Sequence, residues 1–211
     1  MKLRIARHAS RSTHTSRFLR WSRDTFLVVG VLALGYSGFV LLDTKLYQAY
    51  QTRRFQQQLS SVRPAIASAG DVPDLPVAPI PRGALGRIEI ARISLAAMIL
   101  EGTDGRTLRR AVGHIPGTPL PGQQGNVAIT GHRDTFFRPL RNVQRDDEIT
   151  LTTLGGTYRY LVDSTQVVAP EDMYVLDDSS DEILTLVTCY PFYFVGPAPK
   201  RFIVRAHQIP G

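Results

Sequence analysis

Cys189 is the only cysteine among 211 residues. It follows a run rich in Ile, Leu, Val and Thr, from Glu182 to Thr188, that reads as a strand. Tyr190-Pro191 ends that strand, and Arg201 lies twelve residues past the cysteine. A lone thiol at a strand end, with an arginine on the next strand, has the parts of a nucleophile and an oxyanion partner. The plainer alternative is a buried cysteine acting as a small hydrophobe. A single cysteine excludes an intramolecular disulfide and any multi-cysteine zinc site.

A cysteine nucleophile needs a proton partner. Of five histidines, His8 and His14 lie in a basic N-terminal tail and His207 in a polar terminal segment. That leaves His114, in a Pro/Gly-rich loop, and His132, which follows an apolar run (Val127, Ala128, Ile129) and Gly131. A sheet edge exposes a side chain, so His132 is favoured over His114, although either could be an ordinary loop histidine. Asp134 could orient the His132 ring, but pairing with Arg133, Arg138 or a loop amide is favoured. The arginine can be chosen by register. If the last two strands pair antiparallel with Cys189 opposite Arg201, the two side chains share a face. Arg205 would then sit opposite Thr185, four residues or roughly 13 Å from the thiol. Tyr190, Phe192, Tyr193 and Phe194 crowd the loop after the cysteine and could wall an apolar groove; plain loop packing is the alternative.

The elements that carry these residues can be read outward from them. Seven of the 25 Lys and Arg residues precede Asp24 with no acidic residue among them, which leaves 18 basic against 18 acidic in the rest. The formal charge of +7 therefore belongs to the tail, and nucleic-acid binding loses its main support. Residues 25–42 carry no charge, and eighteen helical residues span roughly 27 Å, about the hydrocarbon core of a bilayer. Trp21, Phe26, Tyr47 and Tyr50 lie near the two ends of the run, where aromatic rings favour the interface. Basic charge before it predicts a single-pass anchor with a cytoplasmic N-terminus (1–24), everything after Asp43 lying outside the cytoplasm. A cleaved signal peptide is disfavoured, because the small-x-small pairs at 65–69 lie more than twenty residues past the apolar run. A free thiol outside the cytoplasm is exposed to oxidation and calls for a purpose.

Residues 43–59 lack Gly and Pro and could extend the membrane helix as a stalk. Residues 60–83 hold five prolines and read as an extended linker. A domain then runs over 84–211. Short strands are expected at 85–90, 94–100, 126–130, 148–154, 157–168, 182–189 and 201–207, with helical turns at 107–112 and 136–143, loop over 113–125 and a hairpin turn at Gly155-Gly156. Many short strands with Gly/Pro turns indicate an all-β barrel or sandwich.

Three segments carry a resemblance: GRIEIARISLAAMILEGTD (86–104), AVGHIPGTPLPGQQGNVAITGHRDTFFRPLRNV (111–143) and TLVTCYPFYFVGPAPKRFIVRAH (185–207). With TLVTC, GHRDTFF and the downstream arginine in this order behind an apolar segment, the chain resembles the sortase family, most closely class D sortases. The resemblance implies an all-β, eight-stranded sortase-type β-barrel with short helices, preceded by an N-terminal transmembrane helix. It matches Cys189 to the nucleophile, His132 to the catalytic histidine, Arg201 to the catalytic arginine and Thr188 to a residue that assists the oxyanion. Substrate contact is expected from Thr188, Tyr190, Phe192, Asp134 and His114. The implied reaction is transpeptidation on proteins bearing C-terminal LPxT-type sorting signals, through a thioester resolved by an amine acceptor (a cell-wall peptide or a protein lysine). No cofactor or metal is implied.

Three rivals compete. A cysteine L,D-transpeptidase would place Ser, His, Gly and Cys close together, whereas 57 residues separate His132 from Cys189. A membrane-tethered binding or assembly barrel would leave Cys189 inert. A metal site of Cys189, His132 and His114 lacks close ligand spacing.

Overall fold

The computed structural model describes residues 12–68 and 84–210. The chain forms two compact units, residues 1–45 and 46–211. Helix α1 (Ser12–Ser68) begins in the first unit. An 18-residue window within it has a mean hydropathy of 2.2 and no buried share, so it is long and apolar enough to cross a membrane. Trp21, Phe26, Leu32 and Phe39 are among its exposed large apolar side chains.

In the second unit the same helix packs on the strands. Phe55 is only 3 % exposed and contacts a cluster of Ala84 and Met98, with Leu59, Leu100 and Leu154 at its margin. Gln48 bonds both ways: its Nε2 donates to Arg110 O, and Met98 N–H donates to its Oε1 at 3.1 Å. Residues 43–59, expected to extend the apolar helix, are helical, and Phe55 within them packs on the strands. Of the linker expected over 60–83, residues 60–68 are instead helical, and residues 69–83 lie outside the described residues.

Eight strands follow: β1 (Ala84–Ile90), β2 (Leu95–Glu101), β3 (Val112–His114), β4 (Asn126–Thr130), β5 (Glu148–Thr153), β6 (Thr157–Val168), β7 (Ile183–Tyr190) and β8 (Lys200–Ile209). They close into a barrel in the order β1-β2-β3-β4-β7-β8-β6-β5. Pairing is antiparallel except for β2–β3 and β4–β7, which are parallel. Parallel neighbours need a crossover. A short helix, α2 (Gly105–Arg110), supplies the first, capped by Asp104 accepting from the N–H groups of Arg106 and Thr107; the β5–β6 hairpin lies within the second.

Alternation decides which side chains face in. Ile149 and Leu151 of β5, Leu184 and Leu186 of β7, and Val204 and Ala206 of β8 fill the barrel with Ile88, Ile99, Ile129 and Phe137. β3 is not expected from the sequence, its residues being divided there between the helical turn at 107–112 and the loop over 113–125; it is three residues long and has no alternation to read. The hairpin turn is centred on Leu154–Gly155, one residue before the expected Gly155–Gly156, with Thr153 N–H donating to Gly156 O at 2.8 Å. The turn expected at 107–112 is α2, and that at 136–143 is a 3-10 turn over Arg138–Asn142.

Candidate active site

Cys189 lies one rung before the end of β7, directly opposite Arg201 of β8, while Arg205 pairs with Thr185. Opposed residues in an antiparallel pair have Cα atoms about 5 Å apart, so Cys189 and Arg201 share one face. That face points outward. Leu184, Leu186, Val204 and Ala206 take the inward positions, leaving Val187, Cys189, Arg201 and Ile203 outside. Below the Cys189–Arg201 rung, Ile203 and Val187 pack with Val168, Val175 and Leu176 into a second, apolar cluster that gives this face a floor.

His132 reaches the same edge from β4. Thr130 pairs with Val187 in the parallel β4–β7 ladder, and strands lie about 4.8 Å apart. Two residues past this pair lie Cys189, still within β7, and His132, just beyond the end of β4. The junction is sewn from both directions. The Thr130 hydroxyl and the Gly131 N–H both donate to Val187 O, at 3.1 and 3.2 Å. The Thr188 hydroxyl donates back to Gly131 O at 2.7 Å, and Thr188 is 1 % exposed. A Cβ on Gly131 would lie 2.9 Å from Phe137 Cδ2 and 3.1 Å from Val112 Cγ1, so only glycine lets the fully buried Phe137 close over the strand end. Phe137 N–H in turn donates to His132 O at 3.0 Å, fixing the backbone that carries the imidazole.

Arg201 is half-buried, and its Nη1 donates to the carbonyls of Ala198 (3.3 Å) and Lys200 (3.0 Å). Its Nε and Nη2 carry no hydrogen bond among the described residues, so one edge is tethered while the rest of the fork is available. Cys189 and His132 are also half-buried.

The remaining expected residues are placed differently. Tyr190 stacks on Phe202 (centroids 6.1 Å from Phe192 and 6.3 Å from Phe202), and Phe192 meets Phe202 edge-on at 5.2 Å. These three rings pack on one another, and Phe192 and Phe202 rest on the core, whereas Tyr193 and Phe194 are exposed. Asp134 is exposed and, among the described residues, touches neither the His132 ring nor Arg133 through a hydrogen bond. His114 is buried at β3. Its Nδ1 lies 2.8 Å from Glu101 Oε2, and its Nε2 donates to Pro119 O at 2.9 Å. With both ring nitrogens occupied and the ring enclosed, His114 is placed to brace the 115–125 loop rather than to meet a substrate.

The sequence reading missed a polar pin beneath the face. Asn126 Nδ2 donates to the carbonyls of Val175 and Asp177, both at 3.0 Å, and Thr185 Oγ1 donates to Asn126 Oδ1 at 2.6 Å. It fastens the β6–β7 connection to β4 and β7; an asparagine opening an apolar strand was its only sequence signal.

A sortase domain family model matches residues 88–209, more than half of the chain. The chain belongs to the sortase family. Sortase D of Bacillus subtilis is 31 % identical over 190 residues, covering 87 % of this chain and 95 % of that protein. Among solved structures, a Clostridium perfringens sortase D5 transpeptidase superposes with a TM-score of 0.63 at 25 % identity, covering 78 % of this chain and 99 % of that one. Sortase A of Corynebacterium diphtheriae gives 0.58 at 30 % identity, covering 74 % and 84 %. The eight-stranded closed barrel is the fold these sortases share, and sortases are cysteine transpeptidases of the cell wall.

Proposed function

We propose that this sortase is a membrane-anchored, class D cysteine transpeptidase acting on LPxT-type sorting signals outside the cytoplasm. The observation that carries the reading is the outward-facing Cys189–Arg201 rung, with His132 two residues past the Thr130–Val187 pair of the adjacent parallel strand. The apolar helix near the N-terminus supports the anchor, and the basic tail before it supports a cytoplasmic N-terminus.

In this reading the Cys189 thiolate attacks the carbonyl carbon of the signal's threonine. Arg201 donates hydrogen bonds to the oxygen as charge builds on it. The C–N bond to the next residue breaks, and the His132 imidazolium gives its proton to the departing amine. A thioester remains on Sγ. An acceptor amine, from a cell-wall peptide or a protein lysine, then attacks that carbonyl and gives a proton to His132, and the thiolate leaves. Thr188 contributes by holding Gly131, and with it the start of the His132 turn. Tyr190 and Phe192 pack with Phe202 at the end of the strand pair that carries Cys189 and Arg201, and Asp134 stays available to a bound peptide.

The test is cleavage of fluorogenic LPxTG and LPxTA peptides by the full chain in detergent. The wild type releases the amine product and Cys189→Ala does not. Cleavage retained in Cys189→Ala rejects the cysteine mechanism.

A further inference from the structure

Arg133 follows His132 directly, and its side chain reaches the β7–β8 connection. Its Nη2 donates to two carbonyls of the β7–β8 connection, Phe194 O at 2.7 Å and Gly196 O at 2.9 Å. Its guanidinium also lies over the Phe194 ring, 5.9 Å from the centroid. Gly196 sits at φ +106°, in the left-handed region that favours glycine, so the backbone curls round this one side chain. Arg141 adds a second hold, over the Tyr193 ring at 5.5 Å. Otherwise the connection is sparsely bonded: a 3.4 Å contact from Phe194 N–H to Pro191 O, and the Arg201 bonds at its far end.

The position of this clamp matters. Residues 191–199 are the covalent link between Cys189 and Arg201, and Arg133 ties their midpoint to the turn that carries His132. One side chain therefore joins the three segments that the proposed chemistry needs. We infer that Arg133 is a positioning residue, holding the β7–β8 connection against the His132 turn and so fixing His132 relative to the Cys189–Arg201 rung during acyl transfer. The kinetic part of this inference rests on the transpeptidase reading above; the clamp itself does not.

The chemistry favours arginine here. Two carbonyls 2.7 and 2.9 Å from one nitrogen, together with an aromatic face, suit a planar fork, whereas a lysine ammonium is a point charge. The cost is visible too, since Arg133 Nη1 is buried without a partner. Arg133→Met would lose two charge-assisted hydrogen bonds but would also remove that unpaired donor. These changes oppose one another, so global stability should move little while the loop is released.

The experiment uses the full chain in detergent, with Arg133→Met and Arg133→Lys beside the wild type. Three quantities are measured: the melting temperature, the rate of limited chymotrypsin cleavage after Tyr193 and Phe194, and kcat and KM on an LPxT peptide. Tyr193 and Phe194 are 75 % and 47 % exposed, so the protease can reach them once the backbone yields. For Arg133→Met the expected result is a melting temperature within about 3 °C of wild type, loop cleavage at least about tenfold faster, and kcat/KM lower by roughly 10–100-fold, mainly in kcat. Arg133→Lys should fall between, and it decides the matter if the methionine variant folds poorly. Unchanged loop cleavage overturns the clamp. Faster cleavage with kcat/KM within about twofold of wild type overturns the positioning role. A wild type that cleaves no signal peptide rejects the transpeptidase reading separately, and the protease result still decides the clamp.

Discussion

Replacing Thr188 with valine removes one hydroxyl and keeps the shape. In the native barrel that hydroxyl donates to Gly131 O at 2.7 Å, from a side chain that is 1 % exposed. Gly131 is buried as well, so its carbonyl gains no water in exchange. Leaving a buried acceptor unmade costs about 1–3 kcal/mol. For a chain of this size each kcal/mol lowers the melting temperature by about 2–4 °C, so a fall of about 2–12 °C is expected. Gly131 precedes His132, and a displacement near 1 Å at a catalytic group can cost about 10²-fold; kcat/KM on the signal peptide should drop roughly 10–100-fold. Thr188→Ser keeps the bond, loses only a methyl, and should retain most of the rate. The assay is a thermal melt paired with steady-state cleavage by the full chain. If the hydroxyl served a bound oxyanion instead, Thr188→Val would lose rate with no change in melting temperature. That result, or a Thr188→Ser variant as slow as valine, would refute the latch.

Arg201→Lys should cut kcat/KM by about 10²-fold or more, since an ammonium lacks the fork that can be tethered at one nitrogen while serving a carbonyl with another; near-normal turnover would move the role to Arg205. Phe55→Ala should destabilise the second unit by about 3 kcal/mol and lower its melting temperature by about 6–12 °C, read by calorimetry, and no change would mean that α1 does not pack on the strands. Asp147, 5 % exposed, accepts from the Arg92 guanidinium and from Gln144 N–H, and these bonds hold its carboxyl below the usual range, the Arg92 bond being the larger cause. A lowered native value means that the unfolded chain binds the proton more readily, so the stabilisation is present above the unfolded value of about 3.9 and is lost as pH falls through the native one. Asp147→Asn should therefore melt below wild type at pH 7, with the gap closing below about pH 4; a pH-independent gap would contradict the linkage.

The parts of the site visible in the sequence were those carried by short-range pattern. Alternation in Ile149-Thr150-Leu151 and in the last two strands reports the pleat directly, and the twelve-residue separation of Cys189 and Arg201 admits the antiparallel register that places them opposite each other. His132 could be ranked above His114 because Gly131 and an apolar strand precede it. What stayed hidden depends on distant partners. β3 is too short for a period. The apolar positions Phe55 and Leu59 are too sparse to announce that the helix packs on the strands there. The hydroxyl of Thr188, the amide of Asn126 and the guanidinium of Arg133 all bond backbone groups 49–63 residues away. A carbonyl acceptor leaves no trace in residue identity, so such latches are invisible without coordinates.

The most direct test is intact-mass spectrometry of the full chain in detergent, mixed with an LPxTG or LPxTA peptide and no added amine. The account predicts a hydroxylamine-labile acyl adduct on Cys189 in the wild type, absent in Cys189→Ala and enriched when the resolving amine is withheld. A wild type that cleaves the peptide without ever carrying that adduct, or an adduct that persists in Cys189→Ala, would contradict it.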